Sequence, residues 1–496
     1  MVRSSLLLAV LYGGLGASAQ NSFIVHFDDV QAGHAGVGSS IEEVPGGYLC
    51  FTRQLSPQFP MTNHVFTRKL NPAGLVELEH EYTVGYEQDH TFGYIDPVDV
   101  RDDGTFAVTV TEGYGYEGGK YLYVFADSGD TLSRRFLMRY PMEDSIIHLV
   151  RQTRAIENDG YVLVGAFASL NNNSQALLVR VNSVGDTLWT RRYGAADEAA
   201  IALGVAEYVD GGYLLTGSAL SQGGFNKSFL IRTDVEGNQL WRRNYGNRAN
   251  VNGAVRVAAD GGIVTWSAYR EPDWPNWYWQ QMMLTKWNQD GGMVWQKRSH
   301  YNDYVNTHDL EILPDGSFIT TGTSLLEAVL AKFSPTGDSL WSRRYAPTHG
   351  GTYLYDVEPT SDGGFIATGE TSLYAPVDTG FQTGQLIWVL KTDSLGCVVP
   401  GCQHVGVREY ALDMNEYLSI WPNPAGEQLS VSFSPPTAHS VQGALRVTVL
   451  DALGRQVLAA PLATSPLDVH HLAAGTYYLH LSTGARWLAG RTFVKE

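Results

Sequence analysis

The chain lacks most of what would bind a polyanion, cross a membrane as a helix or hold a metal through thiolates. Only 17% of its 496 residues are charged, and 51 acids against 34 bases give a net charge of −17. No basic cluster can neutralise phosphates, which argues against nucleic acid and anionic membrane surfaces as partners. Beyond the N-terminus no segment reaches the roughly 18 apolar residues of a transmembrane span. Three cysteines, Cys50, Cys397 and Cys402, do not make a metal set. No G-x-S-x-G, HExxH or P-loop motif occurs, and no 3.6-residue apolar period survives that would support a helical solenoid.

What is present suits short strands. Aromatics make up 11%, glycines number 53, and Thr, Val and Tyr are frequent, so the chain reads as all-β. Residues 1–19 place Arg3 before an apolar stretch from Leu6 to Leu15 and the small residues Ala17-Ser18-Ala19, the order of a secretory signal peptide. In an oxidising compartment Cys397 and Cys402, within GCVVPGC, are expected to form a disulfide. Cys50, in YLCFT, is expected to be a buried thiol.

One phrase recurs: a turn glycine followed by Leu-Trp and two cations, as in GDSLWSRRY. Its glycines are Gly74, Gly129, Gly185, Gly237, Gly291, Gly337 and Gly396, spaced by 46 to 59 residues, the length of a four-stranded propeller blade. A second phrase keeps step with it and ends at Tyr48, Phe106, Tyr161, Tyr213, Ile263, Phe318 and Phe365. Asp-Gly and Gly-Gly turns between alternating apolar runs are hairpin signals. Four strands per period predict a seven-bladed β-propeller over residues 20–402. The last period lacks its Trp strand, while SFIVHF stands unclaimed near the N-terminus. Phe23 lies 25 residues before Tyr48, much as Trp341 lies 24 before Phe365, so this N-terminal segment is expected to close the ring. Trp189, Trp241, Trp295 and Trp341 are expected between blades. The cations Lys69, Arg180, Arg232, Lys286, Lys332 and Lys391, with Val124 as the exception, read as scaffold contacts because nearly every copy has one.

After a linker at 403–417, residues 418–496 show alternating apolar positions and turns that predict a small β-sandwich of immunoglobulin-like form. The motifs Trp421-Pro422-Asn423-Pro424, Asp451-Ala452-Leu453-Gly454-Arg455, Leu472 through Gly475-Thr476-Tyr477, and Lys495 resemble the C-terminal sorting domain, type A, of the type IX secretion system of Bacteroidota. The resemblance implies export through the signal peptide and then through the type IX secretion machinery, to a secreted or outer-surface location. The propeller repeats resemble, more loosely, those of surface proteins from the same bacteria with a terminal GC...GC segment.

Residues repeated in every copy describe a scaffold, so function is sought where the copies differ. The loops TEGYGYEGGKY, SAYREPDWPNWYWQQ and SLYAPVDTGFQTG carry Tyr114, Tyr116, Tyr269, Trp274, Trp277, Tyr278, Trp279 and Tyr374, aromatics able to stack on sugar rings or anchor a protein. Arg270, Glu271 and Asp273 could orient a hydroxyl-rich ligand. The expected function is an exported recognition module for glycan or protein, with no cofactor, metal or catalytic residue assigned. The alternatives are a polysaccharide-acting glycosidase or lyase, and a purely structural surface protein. An enzyme would draw on surface acids such as Glu112, Glu117, Asp197, Glu198 or Asp378. His300, His308 and His349 each stand alone in sequence and read as loop histidines.

Overall fold

Strands dominate because short β-branched and aromatic runs are cut every few residues by glycine turns. The computed structural model describes residues 22–496 except 28–34, 56–61, 87–98, 102, 113–118, 127–129, 140–145, 157–159, 170–171, 196, 222–225, 247–252, 270–279, 299–304, 348–349, 378–379, 399–401, 403–416, 435–443, 452–454 and 484–485. Four sheets, at residues 146–193, 198–245, 253–298 and 305–345, each contain four antiparallel strands paired in chain order. Residues 35–86 form another such run, and residues 106–139 give three strands, extended by a bridge from Val100 to Phe106. A further run contains Thr352–Pro359, Phe365–Val377 and Gly380–Thr392.

That last run takes its fourth strand from the N-terminus. Phe23–Phe27 pairs antiparallel with Gly380–Thr392, from Phe23 opposite Lys391 to Phe27 opposite Ile387. In four other sheets the fourth strand sets its Trp opposite the repeated cation: Trp189 with Arg180, Trp241 with Arg232, Trp295 with Lys286 and Trp341 with Lys332. Phe23 stands where those tryptophans stand.

Neighbouring sheets are joined by apolar cores, each drawn from two of them. Leu49 and Phe51 pack with Phe106 and Phe125; Leu122 and Val124 pack with Leu163 and Val179. Val162 meets Leu215, Leu214 meets Val255, Val264 meets Leu310, and Ile319 meets Leu354. The last sheet packs on the first, with Phe23, Val25 and Ile387 against Ile41 and Cys50. The chain therefore returns to its starting sheet through one continuous series of cores.

The recurring phrase supplies the contact between sheets. Each Trp lies over the turn glycine of the following copy. A Cβ built on Gly237 would stand 2.8 Å from the Trp189 ring, on Gly337 2.6 Å from Trp295, and on Gly396 2.8 Å from Trp341. On Gly74 it would stand 2.8 Å from Phe23. The same rings meet the aromatic of the second phrase one copy on: Trp189 with Tyr213, Trp295 with Phe318, Trp341 with Phe365, and Phe23 with Tyr48, at centroid distances of 5.8 to 6.2 Å. The two phrases keep step because their side chains touch across the seam. The closing tyrosine adds a polar link, as Tyr193 Oη donates to Gly237 O at 2.7 Å and Tyr345 Oη to Gly396 O at 2.6 Å.

Gly337 is held at φ +80°, a left-handed conformation costly for a residue with a Cβ. Gly337→Ala adds that cost to a clash with Trp295, and the two are expected to remove about 2–4 kcal/mol of stability. Urea denaturation of the variant checks the value.

Residues 418–495 form two sheets, one from Leu418–Trp421, Gln428–Phe433 and Leu467–Asp468, the other from Leu445–Leu450, Gln456–Pro461, Gly475–Thr483 and Arg486–Lys495. They share a core that includes Leu429, Val447, Leu479, Leu481 and Phe493.

Candidate functional site

The first strands of successive sheets lie side by side, and one register position on them is charged in most copies. Glu42, Arg154, Arg256, Glu311 and Glu358 each pair with the residue just after the end of the second phrase, at Leu49, Val162, Val264, Ile319 and Ile366; Ala206 takes this place opposite Leu214. Asp99 precedes the bridging Val100 and completes the series. Asp309 and Asp356 sit two residues before Glu311 and Glu358, beside a register shift in their strands.

These side chains meet across the assembly. Arg154 pairs with Asp99 of the preceding sheet and also approaches Asp309 at 3.6 Å and Glu311 at 3.8 Å, which belong to the third sheet further on. Arg256 donates from Nη2 to Asp309 at 2.9 Å and from Nε to Glu311 at 2.7 Å. Contacts between first strands that far apart in the series fill the space the strands enclose. Asp356 accepts from Ile41 N at 2.7 Å and Ser40 Oγ at 2.8 Å, crossing from the last sheet to the first. Asp309 likewise accepts from Val357 N at 3.3 Å, and Gln152 from Val205 N at 2.7 Å. The buried carboxylates thus satisfy the next sheet's backbone donors.

Six carboxylates here face two guanidiniums. Burial, the nearby Asp99 and Asp356 push Glu42 well above the usual carboxylate range, and burial with Glu42 and Glu311 does the same for Glu358. Burial and Asp309 raise Asp356. At Asp309 burial acts upward, yet Arg256 and Arg154 hold the group below its ordinary value. Asp309, Asp356 and Glu358 bring carboxylate oxygens within 4.8 Å of one another. Asp309 is bound to Arg256, and Asp356 to Ser40 and Ile41, which ties the group into the scaffold as an inner plug.

Glu370, in the strand Phe365–Val377, is raised to about 7 by burial. A carboxyl raised from 4.5 to about 7 in the folded state favours folding at low pH and opposes it as pH climbs through that window. Glu370→Gln is therefore expected to leave stability at pH 5 almost unchanged and to raise it at pH 8 by about 3 kcal/mol at most, since each pKa unit is worth about 1.4 kcal/mol. Unfolding curves at the two pH values test this.

The aromatic candidates fall unevenly. Tyr269 is 7% exposed, paired with Gln281 at the end of the wholly buried strand Ile263–Tyr269, with the Arg298 guanidinium 3.6 Å from its ring centroid. It is a footing for the loop rather than a stacking surface. Trp274, Trp277, Tyr278, Trp279, Tyr114 and Tyr116 lie outside the described residues, as do Arg270, Glu271, Asp273, Glu117, Asp378, His300 and His349. Tyr374 is paired with Thr383 on a hairpin whose ladder continues to Val377 and Gly380, well beyond its Thr371 pairing with Thr352. Glu198 is buried and bound to Arg242 at 2.7 Å. Burial lowers His308 to about 4.

Cys397 and Cys402 are disulfide-bonded, and Cys50 is a buried free thiol that burial raises to about 12. Three of the repeated cations form ion pairs within their own sheets, Arg232 with Asp210, Lys286 with Asp260 at 2.6 Å and Lys391 with Asp362 at 2.9 Å, while Lys332 lies over the Phe365 ring of the next sheet.

The C-terminal motif residues are also structural. Asn423, between Pro422 and Pro424, accepts from Val494 N at 2.9 Å and donates to Thr492 O at 3.3 Å, while Ala425 bridges Lys495. The motif binds the start of the unit to its final strand. Tyr477, two residues after Gly475, stacks on Phe493 and donates to Ala473 O at 2.8 Å. Asp451 accepts from Arg455 N and Nε at 2.9 and 2.7 Å; Gly454 lies outside the described residues.

Residues 419–495 match the secretion system C-terminal sorting domain family. The protein is secreted or carried on the outer surface. Among the described residues no helix is long and apolar enough to cross a membrane. No curated protein matches the chain. Similar solved structures include a polysaccharide lyase, an ulvan lyase, at 11% identity and TM-score 0.43, covering 70% of this chain and 92% of its own. The Dos1 propeller is similar at 11% identity and TM-score 0.43, covering 74% and 93%. An alpha-L-arabinanase of Penicillium chrysogenum is similar at 11% identity and TM-score 0.37, covering 67% and 94%. Likenesses this distant leave the activity of this chain open.

Proposed function

We propose that residues 20–402 are a seven-bladed propeller closed by the N-terminal strand, exported by the type IX machinery after removal of residues 1–19, and that it recognises a glycan or a protein through its variable loops. Residues 418–496 are its immunoglobulin-like sorting sandwich, joined by the linker 403–417. The observation that carries the recognition reading is the division of labour in the fold. The repeated residues are occupied in seams and turns, and the charged register position in the inner plug, whereas Tyr269 ends a buried strand pair where one variable loop begins and the hairpin bearing Tyr374 extends beyond its neighbouring strand. Rigid stems that present variable loops are the usual arrangement of a binding surface. Trp274, Trp277, Tyr278 and Trp279 in the first loop, with Tyr114, Tyr116 and Tyr374 from two others, supply the aromatic faces.

Titrating the Trp fluorescence of the purified protein with soluble polysaccharides, beside a Trp274→Ala, Trp277→Ala variant, tests this. The reading expects a saturable change that the variant loses by tenfold or more. An unchanged signal with every glycan would remove the sugar reading, and release of shortened or unsaturated sugars would favour the enzyme.

A further inference from the structure

The sorting unit carries a group that its role as an address does not use. The segment Leu467–Leu472 places apolar residues in the core and polar ones in solvent. Leu467, Val469 and Leu472 are buried, while Asp468, His470 and His471 are exposed. The backbone is pinned at several points: Leu467 pairs with Leu429, Val469 N donates to Glu427 O at 2.9 Å, and Leu472 N donates to Val469 O at 3.1 Å. This last bond closes a turn with His470 and His471 as its two central residues, so both rings stand on the outside of a fixed bend.

Asp468 completes the group. Its Oδ1 accepts from His470 N at 3.1 Å and lies 2.6 Å from His470 Nδ1. Asp468 Oδ1 and His470 Nδ1 are thus neighbouring donor atoms that one cation could bridge in place of the hydrogen between them. One donor atom from each of Asp468, His470 and His471 lies within 4.8 Å of the others. With Asp468 and His470 about two-thirds exposed, small side-chain rotations bring the donors to the roughly 2.0–2.2 Å metal distances of imidazole nitrogen and carboxylate oxygen.

The geometry points to a surface site for one borderline divalent cation, of which zinc is the type, held by Asp468, His470 and His471 with at least one coordination position left open to solvent. Two imidazoles and a carboxylate suit such ions better than calcium or magnesium, which prefer all-oxygen sets. The open position would accept water or a donor group from a partner of the sorting unit.

Calorimetric titration of the full chain with zinc chloride, in wild type, His470→Ala/His471→Ala and Asp468→Asn, tests the assignment. Wild type is expected to bind one equivalent more than the double variant, and Asp468→Asn, which removes a direct ligand, to weaken that equivalent by at least the roughly tenfold that loss of an orienting partner costs. Zinc should also raise the melting temperature of wild type and leave that of the double variant unmoved. The residues are exposed, so the metal-free variants should melt with wild type, which separates lost ligands from a lost fold. Equal stoichiometry in wild type and double variant overturns the site. Undiminished affinity in Asp468→Asn overturns the role of the carboxylate and with it the three-donor assignment.

Discussion

Arg256→Ala is expected to destabilise the protein by about 3–5 kcal/mol, the range for removing one partner of a buried ion pair. The side chain is largely buried and binds both Asp309 and Glu311, and its loss would leave Arg154 as the remaining guanidinium facing six carboxylates. Asp309 would then lose the charge that holds it below its ordinary value, and it also anchors Val357 N in the next sheet. The damage should therefore reach the packing between sheets. Arg256→Ala combined with Glu311→Ala should recover part of the loss, and urea denaturation of the full double-mutant cycle measures how much. Additive losses would mean that Arg256 contributes through packing alone.

Phe23→Ala is expected to cost a similar amount, about 3–5 kcal/mol, for a different reason. Phe23 is 1% exposed, and it covers Gly74 and packs on Tyr48 at the join between the last sheet and the first. Truncation leaves a cavity where the surrounding strands cannot collapse. Ser361 N and Oγ, which donate to Glu43 at 2.6 and 2.8 Å, are polar contacts at the same join. Because the N-terminal strand is joined to residues 387–391 through its ladder rather than through a hairpin, the variant should also admit a protease near residue 27 sooner than wild type does. Limited proteolysis alongside denaturation reads both effects.

The seams could be read from sequence because one interaction is written many times. Trp341 and Phe365 recur in step, and their ring contact explains the step. The pairing of the N-terminal strand with the last run was legible too, since Phe23 and Tyr48 repeat the spacing of Trp341 and Phe365 with Phe in the place of Trp. The inner plug was not legible. Its series runs Glu42, Asp99, Arg154, Ala206, Arg256, Glu311 and Glu358, so acid, base and alanine interchange without a fixed residue, and only strand register reveals that these positions correspond. Tyr269 shows the opposite difficulty. It is contiguous with an aromatic loop in sequence, yet it is the last paired residue of a buried strand and faces Arg298. Adjacency in sequence marks the loop without telling which of its aromatics serve as footing. In the sorting unit, the apolar alternation around Val469 was readable, but the contact of Asp468 with His470 depends on how the turn is pinned.

The central claim is that one contact, repeated around the chain, is closed by the N-terminal strand. Hydrogen exchange of the backbone amides of residues 23–27 in the exported protein tests it most directly. A closed ring predicts protection comparable to that of the partner strand at residues 387–391, because the two share one ladder. Exchange of residues 23–27 at the rate of an unstructured peptide, with 387–391 still protected, would contradict it.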